Sequence, residues 1–191
     1  MNYWGEKDTS ISFCEQKYDQ VFWIAEYYNT LSSFSYIIAG LPFIYTKKYK
    51  IAWSGIGIGV GSIMLHGSMR YYGQWMDEIS MIMFSYHLLR YVDAGFPSLW
   101  RILVPIYLVQ WRHFLIMVSF FSSMQIRTFN ILLQKKENHI YLYFYSLFFC
   151  IGFTCWLLDQ FFCPAVQEYQ LHAFWHIFTS ISMFINMLCL R

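Results

Sequence analysis

Ser62-Ile-Met-Leu-His66-Gly-Ser-Met-Arg-Tyr-Tyr-Gly-Gln-Trp-Met-Asp77-Glu78 joins two apolar runs and sets a hydroxyl, an imidazole and two carboxylates where they meet. An ionisable group beside or inside a hydrocarbon segment costs about 2.5–3.5 kcal/mol on insertion scales, so it implies a partner or a task. The flanking runs, 51–69 and 75–92, have the roughly 17–25 residues that cross a bilayer as a helix. The first carries no charge, and the second is charged only near its ends. The stretch therefore reads as the turn of a transmembrane hairpin whose polar groups form half of a site. The other half is His172-Ala-Phe-Trp-His176, which opens the last apolar run.

The rest of the composition agrees. Only 13% of the 191 residues are charged and 58% are hydrophobic, against about 25% charged in soluble domains. The net charge of +2, carried by scattered basic residues, excludes a nucleic-acid partner. The N-terminus lacks the basic-then-apolar layout of a cleavable signal, so the first apolar segment is expected to direct insertion. Expected spans are 30–46, 51–69, 75–92, 98–111, 113–133, 140–158 and 171–190, after an extramembrane segment 1–29. Lys47, Lys48 and Lys50, like Lys135 and Lys136, are expected to face the cytoplasm. An even number of crossings must separate the two clusters, which makes 98–133 two short or tilted helices. The expectation is a single all-α membrane domain, a seven-transmembrane bundle with a lumenal or extracellular N-terminus and a cytoplasmic C-terminus. Ser62, His66, Asp77, His172 and His176 then fall in one layer on the lumenal side.

Gly55, Gly57, Gly59 and Gly61 alternate along the second span. On a helix they make two overlapping Gly-x-x-x-Gly faces for close packing. A nucleotide loop would need a preceding strand and a soluble helix after it. Of the five cysteines, Cys150, Cys155 and Cys189 lie in apolar runs and read as small buried hydrophobes. Cys14 and Cys163 lie outside them and either stay free or pair in an oxidising compartment.

Residues four apart on a helix share a face, so His172 and His176 point the same way, as do Ser62 and His66. A histidine pair of this kind is either a metal chelate or interhelical glue; a third histidine at the same depth favours metal. Three histidines and an open position make a catalytic zinc layout, in which a bound water ionises near pH 7 and a carbonyl is polarised. Asp77 is placed to carry the proton to a leaving group, and Ser62 to stabilise an oxyanion. His87, His113 and His139 lack such companions and read as packing or interface residues.

The chain resembles the alkaline ceramidases, members of a seven-helix hydrolase superfamily related to progestin and adiponectin receptors. The resemblance is carried, in order, by Tyr3-Trp4-Gly5, Phe13-Cys14-Glu15 with Tyr18, Ile24-Ala25-Glu26-Tyr27-Tyr28-Asn29-Thr30-Leu31-Ser32, Ser62-x-x-x-His66, Met76-Asp77-Glu78-x-x-Met81, Asp159-Gln160-x-x-Cys163 and His172-Ala173-x-Trp175-His176. It implies zinc-dependent hydrolysis of the ceramide amide to a sphingoid base and a fatty acid. Zinc would be held by His66, His172 and His176, with Ser62 and Asp77 catalytic, in an endoplasmic reticulum or Golgi membrane. It also implies a Cys14–Cys163 disulfide, with two free thiols as the alternative. Asp159, just before that loop, is expected to orient a zinc histidine; solvation at a helix end is the alternative.

The resemblance further implies a calcium loop using Glu15, Glu26 and the carbonyl of Phe13. This chain departs from that pattern, with Ser12 in place of an Asp and Lys17 in place of an Asn. Calcium takes six to eight oxygen ligands and an ammonium cannot be one. Lys17 is expected to take the cation position and pair with Glu15 and Glu26; the alternative is a shifted loop that binds calcium through Asp19 or Glu15. Two other functions remain open: a lipid-binding, receptor-like relative with little turnover, and a haem- or metal-handling membrane protein.

Overall fold

The structure, a computed structural model, describes residues 2–95, 114–134 and 139–190, and every regular element among them is helical. The helices are α1 (Tyr27–Ser32), α2 (Phe34–Tyr45), α3 (Tyr49–Ser68), α4 (Tyr71–Val92), α5 (Phe114–Gln134), α6 (His139–Phe161), α7 (Cys163–Val166) and α8 (Leu171–Cys189), with a 3-10 turn, Gln167–Tyr169, before α8. The expected span 98–111 lies outside the described residues. Among the described residues three helical stretches are long and apolar enough to cross a membrane: Ile116–Gln134, His139–Phe161 and Leu171–Cys189. The glycines and serines of α3 and the charges of α4 lower the hydropathy of those two helices.

The continuous span expected over 30–46 is instead broken at Ser33, between α1 and α2. The hydroxyls of Ser32 and Ser33 both donate to the carbonyl of Asn29, competing with the backbone ladder at that turn. Pro42, which has no N–H to give, lies inside α2, and the helix ends three residues later.

The glycines of α3 let three neighbours approach at once. A Cβ on Gly61 would fall on the backbone of Asp77, and one on Gly57 on the side chain of Ser80, both in α4. Gly59 meets the backbone of Ile37 in α2, while Gly55 meets Met183 of α8. Gly73 of α4 reciprocates, lying against the backbone of Leu65. The turn between α3 and α4 is closed by Met69 in the left-handed region, its N–H returning to the Leu65 carbonyl. Polarity is distributed as in a membrane protein. Ser54, Ser62, Ser85, Thr128 and Asn186 are buried, whereas Ile38, Trp53, Ile126, Tyr143 and Phe161 are exposed.

The N-terminal segment caps the end of the bundle where α3, α4 and α8 meet. Backbone bonds run from Ala25 N–H to the Gly67 carbonyl and from Glu26 N–H to the His66 carbonyl. Arg70 forms a 3.0 Å ion pair with Asp8 and donates to the carbonyl of Glu6. A disulfide joins Cys14 to Cys163 at the start of α7, as the resemblance implied.

Candidate metal centre

Under this cap the two halves of the site meet. His66 comes from the last turn of α3 and His172 and His176 from the first turns of α8; each is buried. One ligand nitrogen from each lies within 4.8 Å of the others. The ring centroids are 4.7–5.0 Å apart, and the ring of Phe13 covers those of His66 and His172.

The hydrogen bonds determine which nitrogens are available. His66 Nδ1 is 2.5 Å from Glu26 Oε2, so its N–H is given to the carboxylate and Nε2 keeps a free lone pair. His176 Nδ1 is 2.8 Å from the hydroxyl of Ser32. With the Ser32 hydroxyl donating to the Asn29 carbonyl, it accepts the Nδ1–H of His176, and Nε2 is the nitrogen turned to the site. Histidine ligands with the other nitrogen held by a carboxylate or hydroxyl are the arrangement that orients a metal-bound imidazole. A divalent metal of the nitrogen-preferring kind fits these three residues.

Ser62 and Asp77 are at the same place. The Ser62 hydroxyl is 2.8 Å from that of Ser33 and 3.5 Å from His176 Nε2. Asp77 has one carboxylate oxygen buried with no hydrogen-bond partner. Both line a cavity of about 280 Å³ together with the three histidines. Its remaining wall is mostly apolar and is supplied by Met117 and Phe121 of α5, Phe149, Phe153 and Trp156 of α6, and Trp175 of α8. A cavity with polar groups gathered at the histidines and an otherwise mostly apolar lining suits a lipid with a reactive group at its head.

The second group of expected residues is built differently from the calcium loop. The Lys17 ammonium donates to the carbonyls of Phe13, at 2.8 Å, and Glu15, at 2.7 Å, and is ion-paired with Glu26 Oε1. The expected pairing with Glu26 is present, but that with Glu15 is made through its carbonyl. The Glu15 carboxylate instead accepts the N–H groups of Tyr28 and Asn29 at 2.7 and 2.9 Å, capping α1 from outside the helix. Burial pushes this carboxyl up to about 7 despite those two bonds. Burial acts the same way on Glu26, but His66 and Lys17 outweigh it and hold the Glu26 carboxyl below its usual range. Ser12 is turned away, its hydroxyl bonded to the Lys7 ammonium, and Asp19 is bonded to Gln20. The oxygens around Lys17 are spent on its ammonium, and calcium does not fit among them.

Asp159 is buried and accepts from the Cys14 N–H at 3.3 Å, beside the disulfide. It thus anchors the N-terminal segment; the carboxylate behind a histidine is Glu26. Ser33 was not singled out in the sequence, and Ser32 only as the end of a block that carries the resemblance, with no role given to it. Two serines at a helix break carry no motif, and their task exists only once α1 packs against α8.

The sequence model of the Ceramidase family matches residues 5–191. The chain is 27% identical to "Putative alkaline ceramidase dcd3A" of Dictyostelium discoideum over 95% of this chain and 85% of that protein. It is 23% identical to "Alkaline ceramidase 3" of Mus musculus, covering 97% and 84%. Against the "Alkaline ceramidase" of Arabidopsis thaliana it is 24% identical, covering 96% and 83%.

Proposed function

The chain belongs to the ceramidase family, and from that premise we propose that it hydrolyses the amide bond of ceramide to a sphingoid base and a fatty acid, using zinc held by His66, His172 and His176. The observation that carries this reading is the convergence of three buried imidazoles with Asp77 and Ser62 at the polar end of an apolar cavity. A zinc ion there would polarise the amide carbonyl and acidify the attacking water.

The chain's own residues do the rest. The walls from α5, α6 and α8 hold the hydrocarbon and exclude bulk water. Asp77, whose free carboxylate oxygen points to no protein donor, takes the proton of the attacking water and returns it to the amine as the C–N bond breaks. In the resting site the Ser33 proton goes to Asn29, so Ser62 donates to Ser33. Turning that donor onto the oxyanion is a bond made only as the transition state forms.

The membrane arrangement we propose is a single seven-span domain in the endoplasmic reticulum or Golgi. The metal centre faces the lumen and the C-terminus the cytoplasm. The disulfide supports the sidedness, since it lies at the same end as the histidines and needs an oxidising compartment.

The test is zinc content of the purified protein together with fatty-acid release from ceramide, for wild type, His172→Ala and Asp77→Ala. Release is expected from wild type alone, with Asp77→Ala still holding zinc. Full turnover in both variants would refute the mechanism. Zinc without release in wild type would leave a lipid-binding relative, and haem absorbance a haem protein.

A further inference from the structure

We propose that Lys17 is a built-in cation that positions the metal ligand His66 through Glu26, doing with a side chain what a bound calcium ion would otherwise do. This rests on the reading of His66 as a metal ligand.

The chain of contacts is short and closed. The Lys17 ammonium donates to Phe13 O and Glu15 O and is ion-paired with Glu26 Oε1. Glu26 is wholly buried, and its second oxygen is the one on His66 Nδ1. One carboxylate thus carries the cation on one oxygen and the imidazole N–H on the other. A carboxylate buried this completely is stable as an anion only with a partner for its charge. Lys17 supplies that partner beside His66, and Glu26 thereby holds the ring of His66 in place through Nδ1.

The same contacts tie the N-terminal segment to the site. The carbonyls that hold Lys17 flank Cys14, which is bonded to Cys163, and Phe13 lies over two of the histidine rings. Two carbonyls and a carboxylate around one charge are hard oxygen ligands of the type calcium prefers, but calcium needs six to eight of them and a vacant centre. Here the centre is the ammonium. Removal of the side chain beyond Cβ would leave an oxygen-lined cage next to an uncompensated buried carboxylate, which is a site that recruits a small hard cation. The wild-type protein has no use for one.

The experiment uses the full chain in detergent, in metal-stripped buffer with and without millimolar calcium, and reads the zinc dissociation constant by chelator competition as well as the melting temperature. Wild type is expected to give the same zinc affinity and melting temperature with and without calcium. Lys17→Ala is expected to bind zinc roughly 10- to 100-fold more weakly, the range for losing a residue behind a metal ligand, and to recover part of that loss when calcium is added. Lys17→Met, which keeps the aliphatic stem, is expected to lose zinc affinity without recovering it, because the stem fills the cage. A wild-type response to micromolar calcium would overturn the proposal, as would wild-type zinc affinity in both variants. If Lys17→Ala fails to fold, Lys17→Met and the wild-type titration still decide. Zinc binding in wild type that is unaffected by His66→Ala would sink the reading of the centre itself; zinc binding that needs His66 but ignores Lys17 would sink only this inference.

Discussion

The hydroxyl of Ser32 lies 2.8 Å from Nδ1 of His176 and, with its own proton on the Asn29 carbonyl, can only accept there. The break between α1 and α2 thereby orients an imidazole of the proposed metal centre on α8. Ser32→Ala should weaken zinc binding about 10-fold or more, whereas Ser32→Thr should retain most of it. Chelator competition on both variants checks this, and equal affinities would remove the role given to Ser32.

Gly61 is the point of closest approach between α3 and Asp77. Gly61→Ala should cost about 1–3 kcal/mol as overpacking and, if Asp77 has the proposed role of proton carrier, depress turnover by displacing it. Gly67→Ala is the internal control, since its Cβ would meet only Thr30 Oγ1, at 3.9 Å. Melting temperature and fatty-acid release measured on the pair should separate them clearly.

The Cys14–Cys163 disulfide closes a loop of 149 residues. Cys14→Ser should lower stability by about 2–5 kcal/mol and release Phe13 from the histidine rings. The same destabilisation should appear in wild type on reduction, and a melting curve indifferent to reductant would contradict it.

Glu15 gives a stability that varies with pH. Its folded carboxyl titrates near 7, above the usual 4.5, because it is buried. A raised carboxyl favours folding below the unfolded value and loses that contribution as pH rises through the folded value. Melting temperature should therefore fall as pH rises from about 4.5 to about 7, and Glu15→Gln, the neutral isostere of the protonated carboxyl, should flatten that slope with little change at the acid end. An unchanged slope in the variant would assign the pH dependence elsewhere.

How much of this was legible in the sequence varied from residue to residue. Ser62, His66, Asp77, His172 and His176 could be named because each stands at the polar edge of an apolar run with helical spacing. The structure brings them to one cavity. The alternating glycines announced close packing, though not that three different helices would share them. For Asp159 the sequence left a place behind a histidine or solvation at a helix end; the carboxylate on His66 is that of Glu26, because the backbone of Ala25–Glu26 pairs with the end of α3 and delivers it there.

By itself, the sequence determined an all-helical chain built for a membrane, three histidines at the polar edges of its apolar runs, and a lysine where the resemblance puts a calcium ligand. These are properties of composition, period and charge, which act over a few neighbouring residues. Only the tertiary structure decided which nitrogen of His66 and His176 is free, that Glu15 caps a helix rather than binding a cation, and that Lys17, Glu26 and His66 form one line. Each depends on groups from different segments meeting within hydrogen-bond distance, where direction and a single shared proton determine the outcome.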